Sequence, residues 1–90
     1  MKKIIVKLET ENLELILLED ASEIDKASFY DLKNLSDSLL IKIDEFLKKN
    51  NLTLSDINKF DLQTDISDKF TSVKIADVIV RTLNLGKDVD

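Results

Sequence analysis

The sequence contains no cysteine, no histidine and no proline. Without cysteine, disulfides, thiolate chemistry and cysteine-rich zinc sites are excluded. Without histidine, the commonest general base and the commonest metal ligand are missing as well. We therefore expect a protein that is not an enzyme and that has no catalytic residues, no metal and no cofactor.

Glycine is almost as scarce, since Gly86 is the single glycine of the chain. Loops that cradle phosphates need glycines, because the backbone must approach the anion closely or adopt positive φ. Gly86 lies near the C-terminus, with little chain after it. A nucleotide site of the glycine-rich kind is therefore not expected.

The composition indicates one soluble globular domain. The chain has 90 residues, of which 43% are hydrophobic and 34% are charged. The apolar start is interrupted by Lys7 and Glu9, and no apolar run approaches the roughly 20 residues of a membrane span. The net charge is −5 and the lysines are scattered, which disfavours direct binding of nucleic acid. We expect a cytoplasmic protein that contacts neither membrane nor nucleic acid directly.

Apolar periodicity predicts four strands and two helices in the order β-β-β-α-β-α. The second strand carries apolar residues on both faces, as a strand covered on both sides would. A short connection makes the first two strands an antiparallel hairpin, and a right-handed crossover sets the fourth strand parallel to its neighbour. These rules predict an α/β lobe with the mixed sheet order 3-2-1-4 and both helices on one face. The predicted strands cover 3–10, 12–20, 23–32 and 59–65, the helices cover 34–51 and 67–86, and a turn or single helical turn covers 53–58.

Both helices have candidate caps. Asn34 or Ser36 can cap the first helix, whose apolar stripe consists of Leu35, Leu39, Leu40, Ile43, Phe46 and Leu47. Ser67 or Asp68 can cap the last helix, and Gly86 can end it.

The last helix is apolar around most of its circumference. At 100° per residue its apolar arc is about 240°, against the stripe of ≳100° that a helix on a single layer needs. Its charged residues and Asn84 fall in one narrow sector, formed by Lys74, Asp77, Arg81 and Asn84. The small Thr71, Ser72 and Thr82 lie within the apolar arc without making it strongly polar. The excess apolar surface predicts an interface with another protein. The alternative is that the helix is well buried between the sheet and the first helix.

The predicted interface combines apolar positions of the two helices with a charged rim. Lys74 and Arg81 lie beside Asp77, which favours an interhelical salt bridge or rim cluster over a phosphate site. The rim residues are Lys74, Asp77 and Arg81, and the apolar interface residues are Leu39, Ile43, Phe46, Val73, Ala76, Val78, Ile79, Val80 and Leu83.

Four segments of the chain resemble motifs of the TsaB (YeaZ) family, within the actin-like ATPase superfamily. The first strand ends in "LET", where the family has Ile-Asp-Thr. The first helix carries "LSDSLLIKIDEFL", and "LTLSDIN" follows it. The segment "ISDKFTSVKIA" keeps Phe70, Thr71 and Ile75 of the family's glycine-rich motif, with Lys74 in place of arginine.

The resemblance implies a single actin-like or ribonuclease-H-like lobe. It covers nearly the whole chain but only about the first half of a family member, so 1–90 is expected to be one truncated N-terminal domain without the second lobe. In the family, the two helices form a bundle with those of TsaD, which makes threonylcarbamoyl-adenosine in tRNA, or with those of a second copy. The family member itself is a non-catalytic partner. The resemblance thus implies a TsaD-like partner or a homodimer, and a self-associating protein of unrelated role is the alternative.

The departures from the family concern the glycine-rich motif, whose proline is replaced by Ser67, and the first helix, where Leu35 stands in place of the family's histidine. The four glycines of the motif are replaced by Ile66, Asp68, Ser72 and Ala76, so close backbone contact with a ligand is not expected.

Five acidic residues suggest a further alternative function, that of a metal-dependent nuclease. In ribonuclease-H-like folds, carboxylates on the first strand, first helix and fourth strand hold two metal ions for phosphodiester cleavage. Here the helical acids lie on the polar side, where solvent is the simpler explanation, and the chain has no basic patch to hold a substrate. This nuclease hypothesis is therefore the weaker one, and its residues are Glu9, Asp44, Glu45, Asp61 and Asp65.

Overall fold

The computed structural model describes residues 1–10, 12–30, 35–67 and 70–87. Its elements follow the predicted order β-β-β-α-β-α, with a short 3-10 turn at Leu54–Asp56 inside the predicted turn region. The strands are β1 (Lys2–Leu8), β2 (Leu13–Glu19), β3 (Ser22–Phe29) and β4 (Lys59–Thr64), and the helices are α1 (Leu35–Lys49) and α2 (Thr71–Asn84).

The four strands form one mixed sheet in the order β3-β2-β1-β4, as predicted. β1 is antiparallel to β2 and parallel to β4, and Ile4 of β1 lies opposite Leu17 and Phe60. β2 and β3 are antiparallel, and the register between them skips Ile24. The two edges of the sheet are therefore β3, with a bulge, and β4.

One face of the sheet carries the core. Ile4, Val6 and Leu8 alternate along β1 and are completely buried, together with apolar residues of both helices in a single cluster. On the opposite face, Ile16 and Leu18 of β2 are only partly buried. The expectation that β2 is covered on both sides is therefore wrong, because α1 and α2 both pack on the other face.

A tight turn joins β2 to β3. Asp20 and Ala21 form its centre, with positive φ angles of 49° and 73°. Two consecutive positive φ values are typical of a type I′ turn, whose twist matches that of the flanking strands. Asp20 also accepts a hydrogen bond from the N-terminal ammonium group at 2.9 Å, so the turn is held against the start of β1.

The start of α2 differs from the predicted one. α2 begins at Thr71, and Phe70 precedes it in an extended conformation without a side-chain cap. Ser67 is therefore not the cap, and Asp68 lies outside the described residues. Ser36 lies within α1, and Asn34, the other predicted cap, is also outside the described residues. Gly86 follows the end of α2 with a φ of 80°, as a helix-ending glycine does.

Candidate protein–protein interface

Most of the apolar residues predicted to form an interface lie inside the lobe. Six side chains pack between the helices and the sheet with exposed fractions of 6% or less, and these are Leu39, Ile43, Phe46, Val73, Ala76 and Val80. Surface that is already removed from water cannot also meet a partner. The prediction is therefore corrected for these six residues, which stabilise the fold instead.

Three predicted interface residues remain outside the core to different degrees. Val78 is 61% exposed. Ile79 and Leu83 are partly buried and pack against the core cluster with one side. The alternative of a well-buried helix thus holds for one face of α2 only.

The exposed apolar residues of α2 line a shallow groove of about 350 Å³. We call Ile75, Val78 and Ile79 the α2 strip, and Lys74 borders it. At 100° per residue, Val78 lies about 160° around the helix from the buried Val80, so it points away from the sheet. Ile75 and Ile79 lie one turn apart. Around the helix, both are located between the exposed Val78 and the buried face. The strip is therefore a continuous apolar surface along more than one helical turn.

Helix α1 also carries exposed apolar residues. The ammonium group of Lys42 lies 4.3 Å from the ring centroid of Phe29, which fixes the side of α1 that faces β3. Leu40 lies about 160° around the helix from Lys42, hence on the side toward α2. Leu40 is 48% exposed, and its neighbour Ile41 is 58% exposed. Both helices thus present apolar side chains at the surface.

The predicted rim residues do not join the two helices. Arg81 pairs with Asp77 at 3.0 Å, one turn apart within α2, so the expectation of an interhelical salt bridge is wrong. Lys74 is exposed at the border of the groove. The Arg81 side chain is 78% exposed, and an ion pair of this kind contributes little to stability. These charges are available to a partner as a rim.

The helical position of Asn84 groups it with these charges, but its side-chain amide is engaged elsewhere. It binds the backbone of Phe60 in β4 through two hydrogen bonds. Sequence reasoning missed this role, because a helical projection does not show which sector borders a strand edge.

Of the five acidic residues of the nuclease hypothesis, only Glu9 and Asp65 line one cleft, and the other three lie elsewhere. Asp61 binds Lys3 at 2.7 Å on the open face of the sheet, and this hydrogen bond holds the pKa of Asp61 below its usual range. Asp44 pairs with Lys48 at 2.9 Å on the outer side of α1, and Glu45 is exposed there. Within the described ranges, no three acidic side chains are grouped as metal ligands.

A second, polar cleft lies at the carboxyl ends of β1 and β4. Its volume is about 350 Å³, and its walls include Lys7, Glu9, Thr64 and Asp65. Ligands of α/β sheets commonly bind at such strand ends. Here Lys7 already lies between two carboxylates, 3.9 Å from Glu9 and 3.8 Å from Glu14.

The positions that replace the family's glycines contribute to packing. Ala76 is completely buried, and Ile66 packs against the core cluster. Ser72 is partly buried, and Asp68 lies outside the described residues. The side chains at 66 and 76 thus occupy space that glycines would leave open.

The architecture defines a single α/β lobe with a mixed sheet and two helices on one face, and comparison with solved structures places it among known folds. The chain is similar to YeaZ from Pseudomonas aeruginosa, with a TM-score of 0.76 and 19% sequence identity. A crystal structure of an uncharacterized protein with similarity to peptidase YeaZ from Pseudomonas aeruginosa matches equally well. Each alignment covers 92% of this chain and 38% of the other.

This likeness confirms the fold predicted from the resemblance to the TsaB family. At this level of identity it establishes the fold alone, and the chain spans less than half the length of either protein. No family model and no curated protein matches the sequence. Among the described residues, neither helix combines the length and apolar character needed to cross a membrane.

Proposed function

We propose that this protein is a non-catalytic interaction module that binds a TsaD-like protein through the α2 strip. By its resemblance to the TsaB family, it would serve the cytoplasmic machinery that makes threonylcarbamoyl-adenosine in tRNA, without contacting the tRNA itself. The observation that carries the proposal is the exposure of Val78, at 61%, between the partly exposed Ile75 and Ile79.

Burial of the strip provides a driving force for binding. Complete burial of one Val or Ile side chain contributes about 1.5–3 kcal/mol. Ile75 and Ile79 are already partly buried, so Val78 gains the most from a partner. Leu40 and Ile41 of α1 add further exposed apolar surface. Lys74 and Arg81 at the border favour a partner with acidic groups in matching positions.

A second copy of the chain is the competing partner. The same strip would then meet its equivalent across a two-fold axis, as isologous interfaces require. We expect the isolated protein to be a dimer at micromolar concentration, and the TsaD-like protein to replace the second copy. A self-associating protein of unrelated role is the alternative if no TsaD-like protein binds.

The test is a binding titration of the TsaD-like protein from the same cell with this protein and two variants. In Val78→Asp, the new carboxylate would have to be desolvated in the complex, and such a change costs several kcal/mol of association. Ile24→Asp is the matched control, since Ile24 is 55% exposed and lies on β3 at the other edge of the sheet. Circular dichroism establishes that both variants are folded.

The proposal expects that the wild-type protein and Ile24→Asp bind with similar affinity. The affinity of Val78→Asp should be lower by at least about a hundredfold. Equal binding by all three proteins would place the contact elsewhere. No binding, together with a dimer that Val78→Asp dissociates, would favour the self-associating alternative.

A further inference from the structure

The outer edge of β4 is occupied by a side chain of α2. The Asn84 amide accepts a hydrogen bond from the backbone N–H of Phe60 and donates one to the carbonyl oxygen of Phe60, each at 2.8 Å. β4 is an edge strand, and its other side pairs with β1. Asn84 therefore makes the two bonds at Phe60 that a further strand would make.

The bonding pattern of β4 identifies the groups that share this edge. In a strand, alternate residues direct their backbone groups to the same side. Because the backbone N–H and C=O groups of Phe60 face away from β1, those of Leu62 and Thr64 also face away from β1. Apart from the β1–β4 ladder, no backbone hydrogen bond of Leu62 is found within the part of the chain that the structure describes. Among the described residues, the backbone of Leu62 thus has free pairing capacity at this edge.

The end of α2 is held in place beside this edge. After the turn at Gly86, the Lys87 ammonium donates hydrogen bonds to the carbonyl oxygens of Leu54 at 2.9 Å and Ile57 at 2.7 Å. The same ammonium lies 5.9 Å from the ring centroid of Phe60. These contacts fix the last turn of α2 against β4 and position Asn84.

We propose that Asn84 closes the edge of β4 against pairing with the β4 strand of a second copy of this chain. An open strand edge is a template for another strand, and proteins cover such edges to prevent it. Asn84 already bonds the backbone of Phe60, the first residue of β4 whose backbone groups face away from β1. A second β4 strand would have to displace these two hydrogen bonds before it could pair along the whole edge.

The sequence of β4 suits such self-pairing once the edge is open. In an antiparallel pair centred on Leu62, Leu62 lies opposite Leu62 of the second copy, and Phe60 lies opposite Thr64. The backbone groups of all three residues that face away from β1 are then paired. The same register sets Lys59 opposite Asp65, which joins opposite charges. A register centred on Asp61 would instead set two carboxylates against each other.

The experiment uses the Val78→Asp variant as its background, which removes association through the α2 strip. Sedimentation equilibrium compares this variant with the same chain carrying Asn84→Ala. Loss of two hydrogen bonds that compete with pairing is expected to strengthen self-association by at least about tenfold. In the double variant, Asp65→Lys should weaken that association, and a further Lys59→Asp should restore it.

A purely structural role of Asn84 predicts a different result. Asn84→Ala would then lower the free energy of unfolding without changing self-association, and this outcome overturns the proposal. The proposal is also overturned if Asp65→Lys and Lys59→Asp leave the self-association constant of the double variant unchanged. If Asn84→Ala does not fold, Asn84→Leu, which is of similar size and has no hydrogen-bonding group, is measured instead. If neither variant folds, Asn84 is structural and the proposal is rejected.

Discussion

The side-chain amide of Asn50 donates a hydrogen bond to a carboxylate oxygen of Asp25 at 3.1 Å, which joins the end of α1 to the edge strand β3. Asn50 also donates to the carbonyl oxygen of Phe46 at 2.9 Å, and Lys49 lies 3.2 Å from the same carboxylate. The Asn50 amide, the backbone N–H of Lys26 and Lys49 together hold the pKa of Asp25 below its usual range.

This contact predicts a dependence of stability on pH. A carboxylate whose pKa is lowered by folding stabilises the protein above its unfolded pKa, and this stabilisation is lost as pH falls through the folded pKa. Asn50→Ala should therefore lower the free energy of unfolding by about 1 kcal/mol near neutral pH. The difference from the original protein should shrink once Asp25 is protonated.

Urea unfolding at about pH 7 and at a pH low enough to protonate Asp25, below the ordinary carboxyl range, measures both effects. Asp44→Asn is the control, because the Asp44–Lys48 pair is exposed, and its effect should be smaller. A loss that is the same at both pH values would show that the Asp25 charge is not involved.

The turn between β2 and β3 predicts a stabilising substitution. Ala21 has a φ of 73°, a conformation that costs an L-residue about 1–2 kcal/mol and glycine almost nothing. Ala21→Gly should raise the free energy of unfolding by about 0.5–1 kcal/mol, since the greater freedom of glycine in the unfolded chain offsets part of the gain. Thermal unfolding measures the change, and a lower melting temperature would contradict the assigned turn.

The sheet order could be predicted from the sequence because it follows from strong, local signals. Alternation of apolar residues such as Ile4, Val6 and Leu8 identifies the strands, and the short connection and the crossover rule then leave few arrangements. The start of α2 could not be predicted as well. Ser67 is a good capping residue, yet the helix begins only after Phe70, since a capping preference alone is too weak to fix where a helix starts.

The candidate interface was harder to predict than the fold. On α2, similar β-branched residues occupy the buried and the exposed faces, for example Val80 at 5% and Val78 at 61% exposure. A helical projection gives the width of the apolar arc but not the direction of the core. The direction follows only from the packing of α1 and α2 against one face of the sheet.

The corrected assignment of Ala76 to the core can be tested by volume. Ala76 is completely buried, and larger side chains inserted into a packed core typically cost 1–3 kcal/mol. Ala76→Leu should therefore destabilise the fold by about 2 kcal/mol. Val78→Leu, two residues later on the exposed face, is the matched control and should change stability by less than about 0.5 kcal/mol. Equal effects in chemical denaturation would contradict the orientation of α2.

We predict that the protein does not bind ATP at micromolar concentration. Ile66, Ser72 and Ala76 replace glycines of the family's motif, and Gly86, the sole glycine, lies after α2. Titration calorimetry with magnesium and ATP should show no saturable heat. A micromolar dissociation constant that Lys7→Ala weakens would contradict this prediction and would assign the nucleotide to the cleft at the ends of β1 and β4.

Methyl NMR of the isoleucine and valine side chains tests the central claim most directly, because it reports contact at the α2 strip without any substitution. The labelled protein is titrated with the TsaD-like protein. The account predicts that the methyl signals of Ile75, Val78 and Ile79 shift or broaden at saturation, while those of Ile24 on β3 remain unchanged. A saturable complex that leaves the strip signals in place, or one that shifts Ile24 instead, would contradict it.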